Sequence, residues 1–286
     1  MSASLLISAT DLSAQLGAAN WLVVDCRFSL ADTERGRREY ARSHIPGAVY
    51  AHIDEHLSGP VIPGVTGRHP LPDPAVLAAQ LGQWGIDADT AVVAYDDAGG
   101  GHAARLWWLL GWLGHDHAYV LDGGWQAWQA AGYPETDAVP QRNPKTFTPR
   151  LHPERVVDAH FVKEISHDPD FIVADSRDPQ RYAGLNETID PIAGHIPGAV
   201  SAPYMANLSP DGRFQDPEAL RLRFEKLLEG KPADHTVFYC GSGVTACHNL
   251  LAYAHAGLGD ALLYAGSWSE WINDPERGVA VGADRG

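Results

Sequence analysis

Residues 237–246, VFYCGSGVTA, decide the fold of this chain. The stretch begins with a short apolar run, rich in β-branched and aromatic residues, which is typical of a buried strand and ends at Cys240. Glycines occupy positions 241 and 243, and from Val244 to Ala256 the chain has no proline, which predicts a helix. A strand that turns through a glycine-rich loop into a helix surrounds the loop with backbone N–H groups and the positive end of the helix dipole. Because such a loop favours the charged form of a thiol, we interpret Cys240 as a nucleophile.

The composition limits the class of protein. The 286 residues allow one large or two ordinary domains, and 45% apolar with 20% charged residues is an ordinary globular balance. The chain has 21 Lys and Arg against 36 Asp and Glu, a formal net charge of −15. Because nucleic acids and anionic membranes bind basic surfaces, we expect neither of them as a partner.

The first residues and the cysteines indicate a cytoplasmic protein. The opening MSASLLI has no charged segment and too few apolar residues for a signal peptide. No run of about 18 apolar residues exists, so no membrane-spanning helix is expected. Three cysteines without a CxxC pair suit a reducing compartment. Cys240, Cys247 and His248 have the wrong spacing for zinc, so we predict no metal site.

The sequence repeats itself once. The segment WLVVDCR at 21–27 returns as FIVADSR at 171–177, a spacing of 150 residues, and SHIPGAV at 43–49 returns as GHIPGAV at 194–200. A repeat of this length is typical of a duplicated domain. Each copy alternates short apolar strands with helical segments, which predicts an α/β fold with a mainly parallel central sheet flanked by helices.

A proline-rich stretch separates the two copies. Residues 133–155 contain five prolines and little apolar periodicity, which is typical of an extended linker. We predict an N-terminal domain at 1–135, a linker at 136–155 and a C-terminal domain at 156–286.

The repeat separates residues that build the fold from residues that do chemistry, because a residue found in only one copy is not needed for the fold. The run AVVAYD at 91–96 corresponds to the strand that ends at Cys240, so Asp96 is the counterpart of the cysteine. The thiol is therefore not needed to form a strand end. Residues present in both copies are interpreted as structural: Asp25 and Asp175, Arg27 and Arg177, His44 and His195, Trp125 and Trp268.

Three motifs point to a known family. The loop CGSGVT at 240–245, the doubled HIPGA and the doubled Gly-x-Trp resemble the rhodanese superfamily of sulfurtransferases over nearly the whole chain. The resemblance implies two tandem rhodanese-like domains, of which the N-terminal one is catalytically silent, with Asp96 in place of the cysteine. It also implies that Cys240 takes a sulfane sulfur from a small-molecule donor and holds it as a persulfide. The acceptor is then a thiol, a thioredoxin-like protein or cyanide, and no metal or organic cofactor is expected.

The loop also indicates the donor. Members that use thiosulfate resemble Cys-Arg-Lys-Gly-Val-Thr, with basic side chains after the cysteine, whereas members that use 3-mercaptopyruvate resemble CGSGVT. The resemblance therefore implies 3-mercaptopyruvate, contacted by Gly241, Gly243, Val244 and Thr245. Position 246 is alanine, where the phosphatase relatives have a phosphate-binding arginine. Two alternatives stay open: a thiosulfate:cyanide sulfurtransferase, and a binding module that carries or senses a persulfide.

A donor that bears a carboxylate needs a cation outside the loop. Arg181, in the motif RYAG, matches the family's substrate-binding arginine, whose planar guanidinium binds a carboxylate through two hydrogen bonds. The best-known 3-mercaptopyruvate enzymes have a second arginine a few residues later, where this chain has LNETID at 185–190. By motif position the resemblance also implies a triad of Ser242, His69 and Asp54, in which the serine polarises the donor.

Overall fold

The computed structural model describes residues 5–286, which divide into two compact units. The first unit consists of the described residues up to Gly59, Leu71–His152 and Pro210–Arg213. The second consists of Pro60–Pro70, Pro153–Ser209 and Phe214–Gly286. The segment Pro60–Pro70 therefore belongs to the second unit although it lies early in the sequence. No helix among residues 5–286 combines the length and the apolar composition that crossing a membrane requires.

The first unit is a five-stranded parallel sheet with helices around it. Its strands are β1 (Leu6–Ile7), β2 (Trp21–Asp25), β3 (Val49–Tyr50), β4 (Ala91–Tyr95) and β5 (Ala118–Leu121). Its helices are α1 (Ala9–Gln15), α2 (Arg35–Arg42), α3 (Ile53–His56), α4 (Pro74–Gln83), α5 (Ala103–Trp112) and α6 (Gly124–Ala130). The strands are hydrogen-bonded in the order β1-β5-β4-β2-β3, and every pairing is parallel.

The second unit has the same plan. Its strands are β6 (Val156–Val157), β7 (Ile172–Asp175), β8 (Val200–Ser201), β9 (Thr236–Tyr239) and β10 (Leu262–Tyr264). Its helices are α7 (Ala159–Ile165), α8 (Pro179–Tyr182), α9 (Pro217–Leu227), α10 (Ala246–His255) and α11 (Ser267–Trp271). The strand order, β6-β10-β9-β7-β8, is that of the first unit, and all pairings are again parallel. The predicted fold class, two duplicated α/β units with parallel sheets, is confirmed.

The strand that precedes Cys240 lies in the middle of its sheet. All four residues of β9 are buried, between β10 on one side and β7 on the other. A central strand of a parallel sheet is covered on both faces, so nearly all of its side chains are apolar, as the run before Cys240 predicts. Helix α10 begins at Ala246, two residues later than the predicted Val244. The residues between β9 and α10 form the loop that carries the cysteine.

Three of the residue pairs interpreted as structural form a buried cluster in each unit, an aspartate, an arginine and a tryptophan. In the second unit, Arg177 lies 2.6 Å from Asp175, and its guanidinium lies 4.8 Å from the centre of the Trp268 ring. The first unit repeats this arrangement with Arg27, Asp25 and Trp125. A buried guanidinium and carboxylate are costly to desolvate unless they pair, so each partner requires the other. The pair fixes the helix that carries the tryptophan beside the strand end.

Candidate active site

Cys240 follows β9 directly and is held by its own backbone. Its N–H donates to the Ser267 hydroxyl at 3.1 Å, and its carbonyl accepts from the Trp268 N–H at 3.0 Å. Its sulfur accepts the backbone N–H of Gly243 at 3.1 Å, and the residue is only 2% exposed. The thiol therefore lies inside a turn of backbone, as the glycine-rich sequence predicts.

The two loop glycines serve different purposes. Gly243 has a φ of +76°, and a Cβ at this position would lie 2.3 Å from the carbonyl oxygen of Ala265. Only glycine fits there without moving the backbone. At Gly241 a Cβ would instead point at two guanidinium groups, 3.2 Å from Nη2 of Arg68 and 3.6 Å from both terminal nitrogens of Arg181. The absence of a side chain at 241 thus gives two arginines access to the loop.

The structure brings two of the three predicted triad residues together. The Ser242 hydroxyl lies 2.7 Å from Nδ1 of His69, and both side chains are buried. His69 belongs to the Pro60–Pro70 segment of the second unit, so this contact joins residues 173 positions apart within one unit. Asp54 lies in the first unit, exposed in the short helix α3, and its membership of a triad stays a prediction.

Arg181 lies at the end of α8, a helix that Asp178 caps and Pro179 begins. Such an Asp-Pro start fixes the first turn, because the aspartate accepts an orphan N–H and proline already has a helical φ. The Arg181 guanidinium pairs with Glu187 and Asp190, each at 3.0 Å. Its side chain is 17% exposed, whereas both carboxylates are 2% exposed. The buried anions therefore hold a partly exposed cation beside Gly241.

Sequence reasoning missed Arg68, the residue before His69. Its backbone N–H donates to the Ser269 hydroxyl at 2.9 Å, and its Nη1 lies 2.7 Å from Oδ1 of Asp190. The signal for it was the two acidic residues in LNETID, at 187 and 190, because buried carboxylates need cationic partners. The position of that cation, over a hundred residues earlier in the chain, is not visible in the sequence.

Glu187 is the most heavily bonded carboxylate at this site. Burial alone opposes its ionisation, but the hydrogen bonds it accepts from Arg181 and from the N–H groups of Asp190 and Ile189 outweigh burial. They hold the pKa of Glu187 below its ordinary value of 4.5. The carboxylate is therefore an anion at neutral pH, and it keeps Arg181 in place.

Ser267 was also missed as a site residue. It has a φ of +55°, the left-handed region that non-glycine residues rarely adopt, and it is fully buried. Its hydroxyl accepts the Cys240 N–H and donates to the Tyr264 carbonyl at 2.9 Å. Gly124, at the equivalent position of the first unit, has a φ of +56°. The backbone conformation is thus shared, but the hydroxyl is present only beside the cysteine.

Comparison with known proteins gives the family. A profile described as "Rhodanese-like domain" matches residues 8–131 and 158–274. This chain belongs to the rhodanese family. It is 50% identical over 283 residues to a Pseudomonas aeruginosa protein named "Probable 3-mercaptopyruvate sulfurtransferase", covering 99% of this chain and 100% of the relative. It is 35% identical over 270 residues to the thiosulfate sulfurtransferase of Bos taurus, covering 91% and 88% of the two chains.

Comparison with solved structures also finds a sulfurtransferase. The 3-mercaptopyruvate sulfurtransferase from Leishmania major is similar to this rhodanese-family chain with a TM-score of 0.83 and 33% identity. The match covers 95% of this chain and 75% of the other. The family membership predicted from the CGSGVT loop and the doubled motifs is confirmed.

The other two cysteines of this rhodanese-family chain are packed into the interior. Cys26 is fully buried, and burial together with the nearby charges of Asp25 and Asp96 raises its pKa well above the ordinary value. Cys247 lies in α10, also fully buried, and its thiol donates to the Gly243 carbonyl at 3.3 Å. A thiol that stays protonated in an apolar site is a poor nucleophile, so Cys26 is unsuited to sulfur chemistry.

In the first rhodanese-like unit, Asp96 occupies the position of the cysteine. One of its carboxylate oxygens accepts the N–H groups of Ala98 and Gly100, and the other accepts those of His102 and Ala103, all at 2.7–2.9 Å. Asp96 is fully buried. The side chain therefore fills the anion site of its own loop.

One group of residues within 5–286 has three closely spaced metal-ligand atoms: Glu34, His52 and Glu55 in the first unit. Arg37 already pairs with both carboxylates, at 3.1 Å and 2.6 Å. Nε2 of His52 lies 3.0 Å from the Thr33 carbonyl. These contacts explain the cluster as an ion-pair network, and we assign no metal to it.

Proposed function

We propose that this protein is a sulfurtransferase that takes sulfur from 3-mercaptopyruvate, holds it as a Cys240 persulfide and passes it to a thiol or to cyanide. The observation that carries the proposal is the position of Cys240. Its sulfur accepts a backbone N–H inside a loop that also presents the Ser242–His69 pair and a guanidinium. Named relatives that cover nearly the whole chain are sulfurtransferases, which supports the same activity.

In the first half-reaction the Cys240 thiolate attacks the sulfur of 3-mercaptopyruvate. A sulfur–sulfur bond forms while the carbon–sulfur bond breaks, and the electron pair of that bond moves to carbon. The resulting enolate takes a proton and leaves as pyruvate. The cysteine is left as a persulfide, so one difficult transfer is split into two easier ones.

In the second half-reaction the acceptor attacks the outer sulfur of the persulfide. The sulfur–sulfur bond breaks, its electron pair returns to Cys240, and the proton on the outer sulfur is released. Cyanide leaves as thiocyanate, and a thiol or thioredoxin-like acceptor leaves as a persulfide. No metal or organic cofactor takes part in either half.

The side chains around the loop have separate roles in this scheme. Ser242 donates a hydrogen bond to the keto oxygen, where negative charge develops as the carbon–sulfur bond breaks. His69 orients that hydroxyl, and Asp54 is proposed as the third member of the triad. Arg181 binds the donor carboxylate, and backbone groups of the loop residues Gly241, Gly243, Val244 and Thr245 contact the donor.

The two halves of the chain differ in role. We propose that domain 1–135 is catalytically silent in the sense that Asp96 stands in place of the cysteine, that 136–155 links the domains and that domain 156–286 carries the reactive cysteine. A cytoplasmic location suits a reactive free thiol, because that compartment keeps thiols reduced.

Thiosulfate is the rival donor, since a relative with 35% identity is named a thiosulfate sulfurtransferase. Positions 241 and 242 carry glycine and serine, so the loop lacks side-chain cations for a dianion. We therefore expect a higher kcat/KM with 3-mercaptopyruvate than with thiosulfate. The reverse order, measured with cyanide as the common acceptor, would refute the donor assignment and leave the sulfurtransferase assignment intact.

Mass spectrometry of the intact protein tests the proposal directly. Incubation with 3-mercaptopyruvate should add one sulfur atom, mapped to Cys240 after digestion, and cyanide should remove it with release of thiocyanate. Cys240→Ser is the negative control, and Cys26→Ala is a matched control that removes a buried thiol instead. Sulfur transfer by Cys240→Ser, or no added sulfur in the wild type, would rule the mechanism out.

A further inference from the structure

We propose that a cavity beside strand β8 of the second unit binds a small organic anion that has an apolar body. The cavity has a volume of about 690 Å³, which lies in the range of pockets that hold small molecules. Its walls come mainly from β8, from α9 and from residues 283–285. Residues 240–245 do not line it, so this site is separate from the Cys240 loop and the inference goes beyond the proposed function.

The first support is the small side chain at position 201. Ser201 and Tyr50 hold the same register position in their sheets, because each pairs with the buried aspartate that ends the neighbouring strand. In the first unit the Tyr50 ring packs 5.5 Å from the ring of Tyr40. Tyr182 is the counterpart of Tyr40, since each stacks on the histidine of its HIPGA motif. A serine in place of the second tyrosine therefore leaves the space beside Tyr182 open, and both residues line the cavity.

The second support is Arg223, a cation in the cavity wall without an anion of its own. Its Nη2 donates to the Pro203 carbonyl at 3.1 Å, whereas its Nη1 is buried and has no hydrogen-bond partner within residues 5–286. Burial lowers the pKa of Arg223 to about 10, and no described carboxylate raises it again. A buried guanidinium without a counter-charge is costly, so an anionic ligand beside it would lower that cost.

The third support is the balance of charge around the cavity. Arg285 pairs with Glu229, and both side chains are about half exposed. Lys226 is exposed and forms no ion pair with the described part of the chain, and Asp284 is the remaining acid of the lining. Arg223 and Lys226 therefore outnumber the acid that is left. The cavity presents positive charge although the chain as a whole carries −15.

The fourth support is the comparison of α9 with α4. Both helices begin with an Asp-Pro pair, which aligns them position by position, and both buried residues of α9 then fall opposite buried leucines of α4. The same alignment places Gln80 and Gln83 opposite Arg223 and Lys226. A helix in this place in the fold thus needs no cation at these positions. The two cations and the serine occur only in the second copy, which indicates a ligand site rather than a part of the fold.

The lining also indicates the chemistry of the ligand. The Ser201 hydroxyl is buried without a hydrogen-bond partner within residues 5–286, so it adds a polar contact to the guanidinium. A carboxylate, a sulfonate or a phosphate ester suits the planar fork of an arginine. A ring or an alkyl chain suits the rest of the wall, which is largely apolar: Tyr182, Val200, Pro203, Ala206, Leu227.

The test is a fluorescence titration with two probes that differ in one group. The first probe, 8-anilino-1-naphthalenesulfonate, joins a sulfonate to apolar rings, and the second, N-phenyl-1-naphthylamine, has the same rings without the sulfonate. We expect saturable binding of the sulfonate to the wild type. Arg223→Gln introduces the residue of the first unit and should raise the Kd of the sulfonate roughly 10- to 100-fold, because a charge-assisted hydrogen bond is lost. The Kd of the neutral probe should not change.

Two further variants complete the titration. Ser201→Tyr introduces the ring that the first unit has at this position, so it should abolish binding of both probes. Arg221→Gln is the matched control, because that arginine lies in the same helix but contacts Glu225 and the Gly257 carbonyl instead. It should bind both probes as the wild type does.

Two measurements on the wild type locate the site and name the anionic group. The bound sulfonate should protect Lys226 from acetylation by acetic anhydride, mapped by mass spectrometry, and should leave the exposed Lys163 of α7 unprotected. Phenylacetate, benzenesulfonate and phenyl phosphate compete for the site, and the strongest competitor identifies the anion. Benzyl alcohol, which has no charge, should not compete.

The outcomes that would overturn the inference are specific. They are no saturable binding to the wild type, an unchanged Kd in Arg223→Gln, an equal loss with both probes, or competition by benzyl alcohol as strong as that by the anions. If Ser201→Tyr does not fold, Arg223→Gln and the protection of Lys226 decide the matter. No sulfur donor is used, so the result holds whether or not Cys240 forms a persulfide.

Discussion

The loop after β4 and the loop after β9 follow equivalent strands, but their backbone N–H groups bind different side chains. In both, the backbone carbonyl of the first loop residue accepts the N–H of a tryptophan, Trp125 or Trp268. In the first loop, four backbone N–H groups bind the Asp96 carboxylate. In the second loop, the sulfur of Cys240 accepts the N–H of Gly243. The first loop thus binds its own carboxylate, whereas the second presents the thiol of Cys240, which we propose as the nucleophile.

The two loops also differ in the residue that precedes the repeated tryptophan, which is Gly124 in the first unit and Ser267 in the second. Gly124 adopts the left-handed conformation in the first unit without steric cost, whereas Ser267 adopts it at a cost of about 1 kcal/mol. The serine hydroxyl in return accepts the Cys240 N–H. Strain of this kind persists where the surroundings enforce it, often beside reactive groups. The comparison therefore separates a loop that binds its own carboxylate from the loop in which we propose the chemistry takes place.

The largest effect is expected from removing the Asp96 carboxylate of the first loop. Asp96→Ala removes the acceptor of four backbone N–H groups, two of them buried and two partly buried, so the free energy of unfolding should fall by about 4 kcal/mol, measured by urea denaturation. Asp116→Ala, at an exposed position of the same unit, is the control and should change it by less than about 0.5 kcal/mol. Sulfur transfer by the folded Asp96 variant should match the wild type. A stable variant that has lost sulfur transfer would contradict the assignment of a structural role to this loop.

The second prediction concerns Ser242, a residue of the Cys240 loop, and its partner His69. Ser242→Ala and His69→Ala should each lower kcat by about 100-fold, and the double variant should be little worse than either, because the two side chains act as a unit. Steady-state kinetics with 3-mercaptopyruvate measure this. Asp54→Asn extends the series to the proposed third member. Additive losses in the double variant would show that serine and histidine act independently.

The third prediction concerns Glu187, which forms ion pairs with Arg177 and Arg181 in the second unit. Glu187→Gln should lower the free energy of unfolding at neutral pH by about 2 kcal/mol, since it removes charge-assisted hydrogen bonds to buried partners. Because the folded pKa of Glu187 lies below 4.5, its ionised form contributes stability above that pH, and this contribution is lost as the pH falls through the folded pKa. The difference between variant and wild type should therefore shrink in acid.

Urea titrations of both proteins at neutral and at acidic pH check the direction. A difference that grows toward acidic pH would mean that the folded pKa of Glu187 is raised, which contradicts a stabilising role for the hydrogen bonds it accepts from Arg181, Ile189 and Asp190.

The smallest effect is expected at Ser267, where two variants separate strain from positioning. Ser267→Gly relieves the left-handed strain and loses the hydroxyl, whereas Ser267→Ala loses the hydroxyl and keeps the strain. We expect Ser267→Ala to be about 1 kcal/mol less stable than Ser267→Gly, with the same reduced kcat and unchanged KM in both. If kcat instead follows stability, the hydroxyl has no positioning role.

The sequence was sufficient for the fold because the repeat and the strand patterns are local signals. The apolar run before Cys240, the glycines after it and the mismatch with Asp96 all lie within short stretches. Arg68 and Ser267 were not predictable in the same way. The first acts through contacts that join distant parts of the chain, and the second through a backbone angle that its side chain does not favour. His69 was found only because a family motif marks it.

The membership of Pro60–Pro70 in the second unit has a consequence for how the protein is made. These residues emerge from the ribosome well before the loop they contact, since His69 precedes Ser242 by 173 positions and Arg68 precedes Ser269 by 201. Contacts between such distant positions form late, because a long loop must close before they are gained. Strand β9 can form with its neighbours, but the proposed donor site is complete only after the last strand and helix of the chain have formed. Acquisition of sulfur transfer during refolding should therefore lag behind recovery of secondary structure.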